Sequence, residues 1–236
     1  MRPTDDNVVV ETKGVTKTYR VGKVEMPALR GVSLAVKEGE FTAIVGPSGS
    51  GKTTLLNIIG CIDDPTSGDV IIGSEPVSSL SQRQRAVVRK RSIGFVFQTF
   101  NLVPVLSAYE NVELPLILLR ESPGQRKEKV ERMLGLVGLG ELLHRRPNEM
   151  SGGQQQRVAV ARALVKEPRM VLADEPTANL DSTTGEGILK LMRDLNQELK
   201  TTFIFSTHDR MVMDFARRLV VLKDGRIVED KTKEPQ

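Results

Sequence analysis

The sequence predicts an α/β fold: a parallel sheet covered on both faces, preceded by an antiparallel β layer and interrupted by a helical insert. Three observations carry this. From residue 159 onward apolar strand patterns alternate with helix patterns, the rhythm of a parallel sheet with helices on both sides. Before residue 41 short β-forming runs follow one another across tight turns, which favours antiparallel pairing. Between residues 98 and 158 helix-start signals replace strand signals.

Taken in order, residues 8–10, 14–19 and 32–36 cluster β-formers, and Glu38-Gly39-Glu40 turns into the strand Phe-Thr-Ala-Ile-Val at 41–45. Residues 55–59 are an apolar helix pattern that ends before the turn at 65–68, and 69–72 is a further strand. Ser81 can cap a helix over 82–91, followed by a strand at 93–97. In the insert, Ser107-x-x-Glu110 and Ser122-x-x-Gln125 are capping boxes, the second with Pro123 at the first helical position. Then come a helix through Lys166, a strand at 170–173, a helix near 183–200, a strand at 202–206 and a helix at 210–217. Asp224-Gly225 joins strands 219–223 and 226–229 as a hairpin, and 231–236 is expected to be a loose tail.

The strand at 41–45 runs straight into Gly46-Pro47-Ser48-Gly49-Ser50-Gly51-Lys52-Thr53-Thr54, which fits G-x-x-x-x-G-K-[ST]. Such glycines let backbone N–H groups curl around an anion, and the following helix aims its unpaired N–H groups and dipole at it. Lys52 is positioned to reach the outer phosphates of a nucleotide, and the Thr53 hydroxyl to bind Mg²⁺. A second acidic site complements it: the buried-strand run 170–173 ends in Asp174 and Glu175. The first carboxylate suits Mg²⁺, usually through water, and the second suits a base that polarises an attacking water. His208 follows the strand at 202–206, at the end of the sheet where phosphates belong, and is expected to donate to a γ-phosphate; His144 takes a structural reading. Ser151-Gly152-Gly153-Gln154 opens another helix as a capping box holding two glycines. Without a lysine or a metal-binding hydroxyl at the right offset, it is a surface for an anion and not a complete second site.

The 236 residues carry 34 Lys and Arg against 30 Asp and Glu, a formal charge of +4 that is too mild to argue for nucleic acid. Cys61 is the single cysteine, which excludes an internal disulfide, points to a reducing compartment and suits a buried, inert thiol. There is no signal-peptide pattern, and the densest apolar runs, 55–62 and 114–119, are far too short to span a bilayer. The chain is therefore expected to meet a membrane only through a partner.

The phosphate loop, Gln98 after a strand, Ser-Gly-Gly-Gln at 151–154, Asp174-Glu175 and His208, in this order and spacing, resemble the ABC-type ATPases across about residues 8–229. The resemblance implies an α/β phosphate-loop NTPase fold with a RecA-like core, as one domain. Residues 1–97 and 159–230 would form the nucleotide-binding core with its β layer, 98–158 a helical subdomain and 231–236 a tail. It implies ATP and Mg²⁺ as ligands. Tyr19 would stack on adenine, and Gln98 would touch Mg²⁺ and the attacking water while reporting on a membrane subunit. Residues 151–154 would contact the γ-phosphate held by a second copy of the chain, and Asn179-Leu180-Asp181 would cross that dimer interface. Met150 replaces the usual leucine ahead of the signature, and Ala178 stands where relatives often have glycine. Residues 56–61, 65–68, 93–104 and 110–116 are similar, more closely, to the group containing the lipoprotein-release ATPase LolD, the macrolide-exporter ATPase MacB and the cell-division ATPase FtsE.

The expected function is therefore an ATPase subunit, cytoplasmic and peripheral on the inner face of the cell membrane. It would pair head-to-tail with itself around two ATP molecules and drive permease subunits in trans, in lipoprotein release or macrolide/peptide-type export. An amino-acid-type importer ATPase is the alternative within transport; a regulatory domain of the sugar-importer kind is not expected after the last hairpin. A soluble ABC ATPase acting on nucleic acid or ribosomes is the other. Arg83, Arg85, Arg89, Lys90 and Arg91 could favour that rival, but no aromatic residues interleave with them for base stacking. No N-K-x-D guanine-reading motif occurs.

Overall fold

The computed structural model describes residues 7–22 and 24–233. Two sheets form around two cores. The first sheet is antiparallel, with β1 (Val8–Val21), β2 (Val24–Lys37), β4 (Ser67–Ile72) and the short β5 (Glu75–Pro76) in the order β2-β1-β4-β5. The second contains β3 (Phe41–Val45), β6 (Ile93–Val96), β7 (Met170–Asp174), β8 (Thr202–Thr207), β9 (Arg218–Lys223) and β10 (Arg226–Thr232). Its order is β10-β9-β3-β8-β7-β6, parallel throughout except for the antiparallel edge strand β10.

Strand alternation explains why this sheet needs cover on both sides. Phe41, Ala43 and Val45 of β3 face one core together with Phe203, Phe205, Val171 and Ala173. That core is closed by helices: α3 (Ala108–Leu118), α4 (Pro123–Leu136), α5 (Gly152–Leu164), α6 (Ser182–Leu199) and α7 (Arg210–Phe215). The intervening Ile44, with Leu172, Ile204 and Leu222, faces α1 (Lys52–Ile59) and the apolar side of the antiparallel sheet at Val10, Val32 and Val36. Each strand is thus apolar on both faces, which is why it reads as a continuous run. Ring contacts between Phe41 and Phe205, 4.6 Å between centroids, and Phe41 and Phe203, 5.6 Å, fill the helical side.

Several elements depart from expectation. Residues 8–10 and 14–19 are one strand, kinked by register shifts around Gly14 (φ 58°), where the chain needs a left-handed residue. β2 starts at Val24, eight residues before the predicted 32, because it is the sheet's edge and Pro27 there costs no ladder bond. α7 stops at Phe215: Ala216 turns extended (φ −71°, ψ 139°) and the Arg217 N–H bonds to Phe41 O at 2.9 Å. The predicted tail begins inside β10, where Lys231 and Thr232 pair with Leu219 and Arg218; positions 234–236 lie outside the described residues. α5 runs unbroken through residue 158.

The basic cluster on α2 (Gln82–Ser92) is largely occupied within the fold. Arg85 pairs with Asp64, Arg89 Nη1 donates to Cys61 O at 2.6 Å, and Lys90 Nζ donates to Leu118 O at 2.9 Å. Three of the five side chains are thereby held against the fold, and only Arg83 and Arg91 stand exposed. Cys61 is buried, and burial pushes its thiol up to about 11, so it stays protonated and inert. His144 is exposed near Glu110, not a core residue. Among the described residues no helix is long and apolar enough to cross a membrane.

Candidate functional site

The phosphate loop, Glu175 and His208 all follow carboxyl ends of neighbouring strands β3, β7 and β8. Gly46 (φ 156°) leaves β3 so close to β9 that a Cβ would sit 2.1 Å from Leu222 O, so no side chain is possible. Gly51 (φ 104°) is the N-cap of α1, and no side chain caps that helix start or places an acid in its first turn. The first N–H groups of α1 are therefore left to a ligand at the loop. Lys52 is nearly buried at 8% exposure, with Nζ donating to Gly46 O at 2.8 Å and Pro47 O at 3.0 Å. Ser50 Oγ is buried without a partner among the described residues, while Ser48 and Gly49 are exposed.

β8 lies between β3 and β7, so their ends are roughly 10 Å apart. Thr53, in the first turn of α1, spans that gap: its Oγ1 donates to Asp174 Oδ1 at 3.2 Å. A small cavity of about 240 Å³ opens beside this pair, lined also by Asn57, Phe95 and Phe97. The larger cavity, about 700 Å³, lies at the opposite end of the sheet, near Gly39, Arg169 and Thr201, away from all of these groups.

Glu175 has φ 45°, and its N–H donates to Ser206 O at 2.9 Å, which pins the residue to β8. Its carboxylate is held at both oxygens. Thr207 Oγ1 donates to Oε2 at 3.0 Å, and His208 Nδ1 lies 2.6 Å from Oε1. His208 is otherwise exposed, and among the described residues its polar partner is the carboxylate that it is expected to work beside. Thr207 is in turn a fixed hinge, since its Oγ1 accepts from the Asp209 N–H at 3.0 Å.

Tyr19 stands at the rim, 38% exposed as a residue, with Thr54 beside its hydroxyl. The hydroxyl donates to Asp63 Oδ2 at 2.8 Å, and the Lys17 ammonium, itself paired with Asp63, sits 4.9 Å from the ring centroid. Burial, more than the Asp63 charge, raises the phenol above its ordinary range and keeps it a donor.

Two predicted parts stand apart. The Gln98 side chain is exposed and, among the described residues, makes no hydrogen bond to Thr53, Asp174 or Glu175; only its carbonyl is used, accepting from Asn179 Nδ2 at 2.9 Å. Ser151 to Gln154 make the expected capping box, with Gln154 N–H to Ser151 Oγ at 3.3 Å and Ser151 N–H to Gln154 Oε1 at 2.9 Å. None of the four bonds to the phosphate loop of the same chain among the described residues. The glycines have a packing reason as well: a Cβ on Gly153 would meet Thr184 Cγ2 at 2.5 Å, and one on Gly152 would meet Leu180 Cδ2 at 3.3 Å. Asp63 and the supporting role of Thr207 had no local signal, because each acts through a residue more than thirty positions away.

The donor set fits a magnesium nucleotide. A hydroxyl and a carboxylate at 3.2 Å supply hard oxygen ligands, and an uncapped helix start with an unmet buried hydroxyl suits phosphate.

The chain is similar to known proteins along nearly its whole length. The family model described as ABC transporter matches residues 29–178. An ABC transporter ATP-binding protein of Thermotoga maritima is 53% identical over 219 residues, covering 93% of both chains. A macrolide export ATP-binding/permease protein, MacB of Syntrophobacter fumaroxidans, is 49% identical over 93% of this chain, which spans only 31% of that protein's length. The solved dimeric post-hydrolysis structure of the cassette MJ0796 bound to ADP and Pi superposes with a TM-score of 0.87 at 46% identity, covering 96% of this chain and all of that one. A protein of the same name from Methanocaldococcus jannaschii is 48% identical over 227 residues. With an uncapped phosphate loop, a clamped carboxylate beyond it and this company of relatives, the chain belongs to the ABC transporter family, as an ATP-binding domain with the ABC ATPase fold.

Proposed function

We propose that the chain is the ATP-hydrolysing subunit of a membrane complex, working as a head-to-tail pair around two Mg-ATP and driving separate permease subunits. The observation that carries this reading is the clamped Glu175: a carboxylate fixed at both oxygens, beyond Asp174 and within one strand of the phosphate loop. Lys52 exchanges its two backbone carbonyls for phosphate oxygens when nucleotide enters, and the free N–H groups of α1 take the β- and γ-phosphates. Thr53 and Asp174 would hold Mg²⁺, which would supply positive charge to neutralise the phosphate oxygens. Tyr19 offers its exposed ring face to adenine.

Glu175 takes a proton from the attacking water. Thr207 holds its carboxylate in place, and His208 swings from Oε1 to the γ-phosphate as the site closes. Ser151, exposed at the start of α5, and the half-buried Gly152 beside it offer a hydroxyl and a backbone N–H to the γ-phosphate of a second copy. The dimeric assembly of the MJ0796 cassette supports this completion in trans. Residues 98–158 form the helical subdomain and, with Gln98, meet the permease. The macrolide export relative MacB supports export as the task, with lipoprotein release the other reading, carried out at the inner face of the cell membrane.

The test is Glu175→Gln. It removes the base and keeps the shape, so turnover falls by at least about a hundredfold while ATP binding persists. Size-exclusion chromatography with saturating ATP and Mg²⁺ then shows a dimer. A variant that remains monomeric under those conditions refutes the paired mechanism.

A further inference from the structure

Arg162 has no part in the chemistry above, yet its environment is unusual for a cation. It lies on α5, ten residues beyond Gly152 and so about 15 Å along the same helix from the glycines of residues 151–154. Its side chain is partly buried, desolvation lowers its pKa, and among the described residues no carboxylate pairs with it. It is satisfied by backbone alone. Nη1 donates to Asn101 O at 2.5 Å and Nη2 to Phe100 O at 2.7 Å.

Those two carbonyls belong to consecutive left-handed residues, Phe100 at φ 58° and Asn101 at φ 50°. Side-chain-bearing residues rarely adopt that region, and two in succession need an outside constraint. The turn also contains Gln98, whose own carbonyl is held by Asn179 of the crossing loop. The three segments close on one point: a Cβ on Gly152 would come within 3.3 Å of Leu180 Cδ2 and 3.8 Å of Phe100 Cζ. The glutamine turn, the crossing loop and the start of α5 therefore touch one another, and Arg162 is the side chain that bonds α5 to the turn.

We propose that Arg162 is the positioning residue that fixes the 98–101 turn to the helix bearing residues 151–154, so that both shift as one body. Resting on the paired reading above, this makes α5 a mechanical link. Its start meets the nucleotide of the second copy, and its guanidinium sets the turn whose Gln98 serves the chain's own nucleotide. Displacement at one site is then delivered to the other through a single helix.

The experiment compares Arg162→Met and Arg162→Lys in the full chain, reading steady-state ATPase, affinity for a fluorescent N-methylanthraniloyl-ATP and thermal melting. Met lacks any donor. Lys keeps an ammonium, and one ammonium can hold two carbonyls, as Lys166 Nζ does with Arg89 O at 3.1 Å and Lys90 O at 2.9 Å on the same side of the fold. Arg162→Met is expected to lose at least tenfold in kcat, with KM and analogue affinity within twofold of wild type. Arg162→Lys is expected to recover most of kcat. A wild-type kcat in the Met variant overturns the proposal, as does a Lys variant that melts normally but is no faster than Met. If Met does not fold, the Lys variant alone decides by the same kcat criterion. A monomeric Glu175→Gln control marks failure of the paired reading, which is a different outcome from an intact dimer with Arg162 indifferent.

Discussion

Replacing Gly153 by alanine separates two explanations for a glycine at the start of α5. A Cβ there lies 2.5 Å from Thr184 Cγ2, about 1 Å inside the contact distance of two carbons. Relieving that overlap forces α5 away from the first turn of α6, an overpacking cost of about 1–3 kcal/mol. Alanine returns about 1 kcal/mol of helix propensity, so the net loss is about 1 kcal/mol. Thr184→Ser removes the methyl in conflict and keeps the hydroxyl, so in that background alanine should be neutral or mildly stabilising. The urea-unfolding cycle through wild type, both single variants and the double variant should give a coupling energy of about 1–2 kcal/mol. Because the added methyl points at Thr184 and not at the exposed side near Ser151, ATPase activity should recover in the double variant along with stability. Additivity within about 0.5 kcal/mol refutes the packing account. Recovered stability with ATPase still absent shows that the glycine is needed for close approach by the second copy's nucleotide.

Gly46→Ala drives a Cβ to 2.1 Å from a backbone oxygen, which cannot rotate away, so a loss on the order of 3 kcal/mol and of fluorescent ATP-analogue binding is expected by melting and titration. Lys166, held by two carbonyls and lowered by burial to about 8, binds its proton more weakly folded than unfolded. Wild type should therefore gain stability relative to Lys166→Met between about pH 8 and 10.5, by at most about 1.4 kcal/mol per pH unit, read from urea unfolding. Arg218→Met removes bonds to Asp230, Glu40 and the Ala35 carbonyl that tie β10 and β9 to the other sheet, so amides of β10 should exchange faster and stability fall by about 1–3 kcal/mol. Asp230 is held below its usual range by Arg218, so the part of that loss due to their pairing should vanish as pH drops below 3.8.

What the sequence disclosed and what it withheld divide along a physical line. The parallel strands, the phosphate loop and the capping boxes are local patterns of side-chain type, and Ser81, Ser107 and Ser151 cap helices where those patterns place them. The long first hairpin was obscured because Pro27 and Gly31 punctuate its second strand as turns would, although the turn itself is at Gly22; the place of β2 at a sheet edge makes the proline harmless. The clamp on Glu175 was half visible: strand ends put His208 and Glu175 in one region, but neither the 2.6 Å approach nor Thr207 on the other oxygen follows from spacing. The interactions that organise α5 and the turn after it were least legible of all. Arg157 donates to Val137 O, Arg162 to Phe100 O and Asn101 O, and Lys166 to Arg89 O and Lys90 O. Every acceptor in that series is a peptide carbonyl, which any residue would supply. The letters at 89, 90, 100, 101 and 137 therefore carry no record of the cation that binds there. A helix whose cations all bind backbone looks in sequence like a helix with a solvated face, and only the fold distinguishes a spine from a surface.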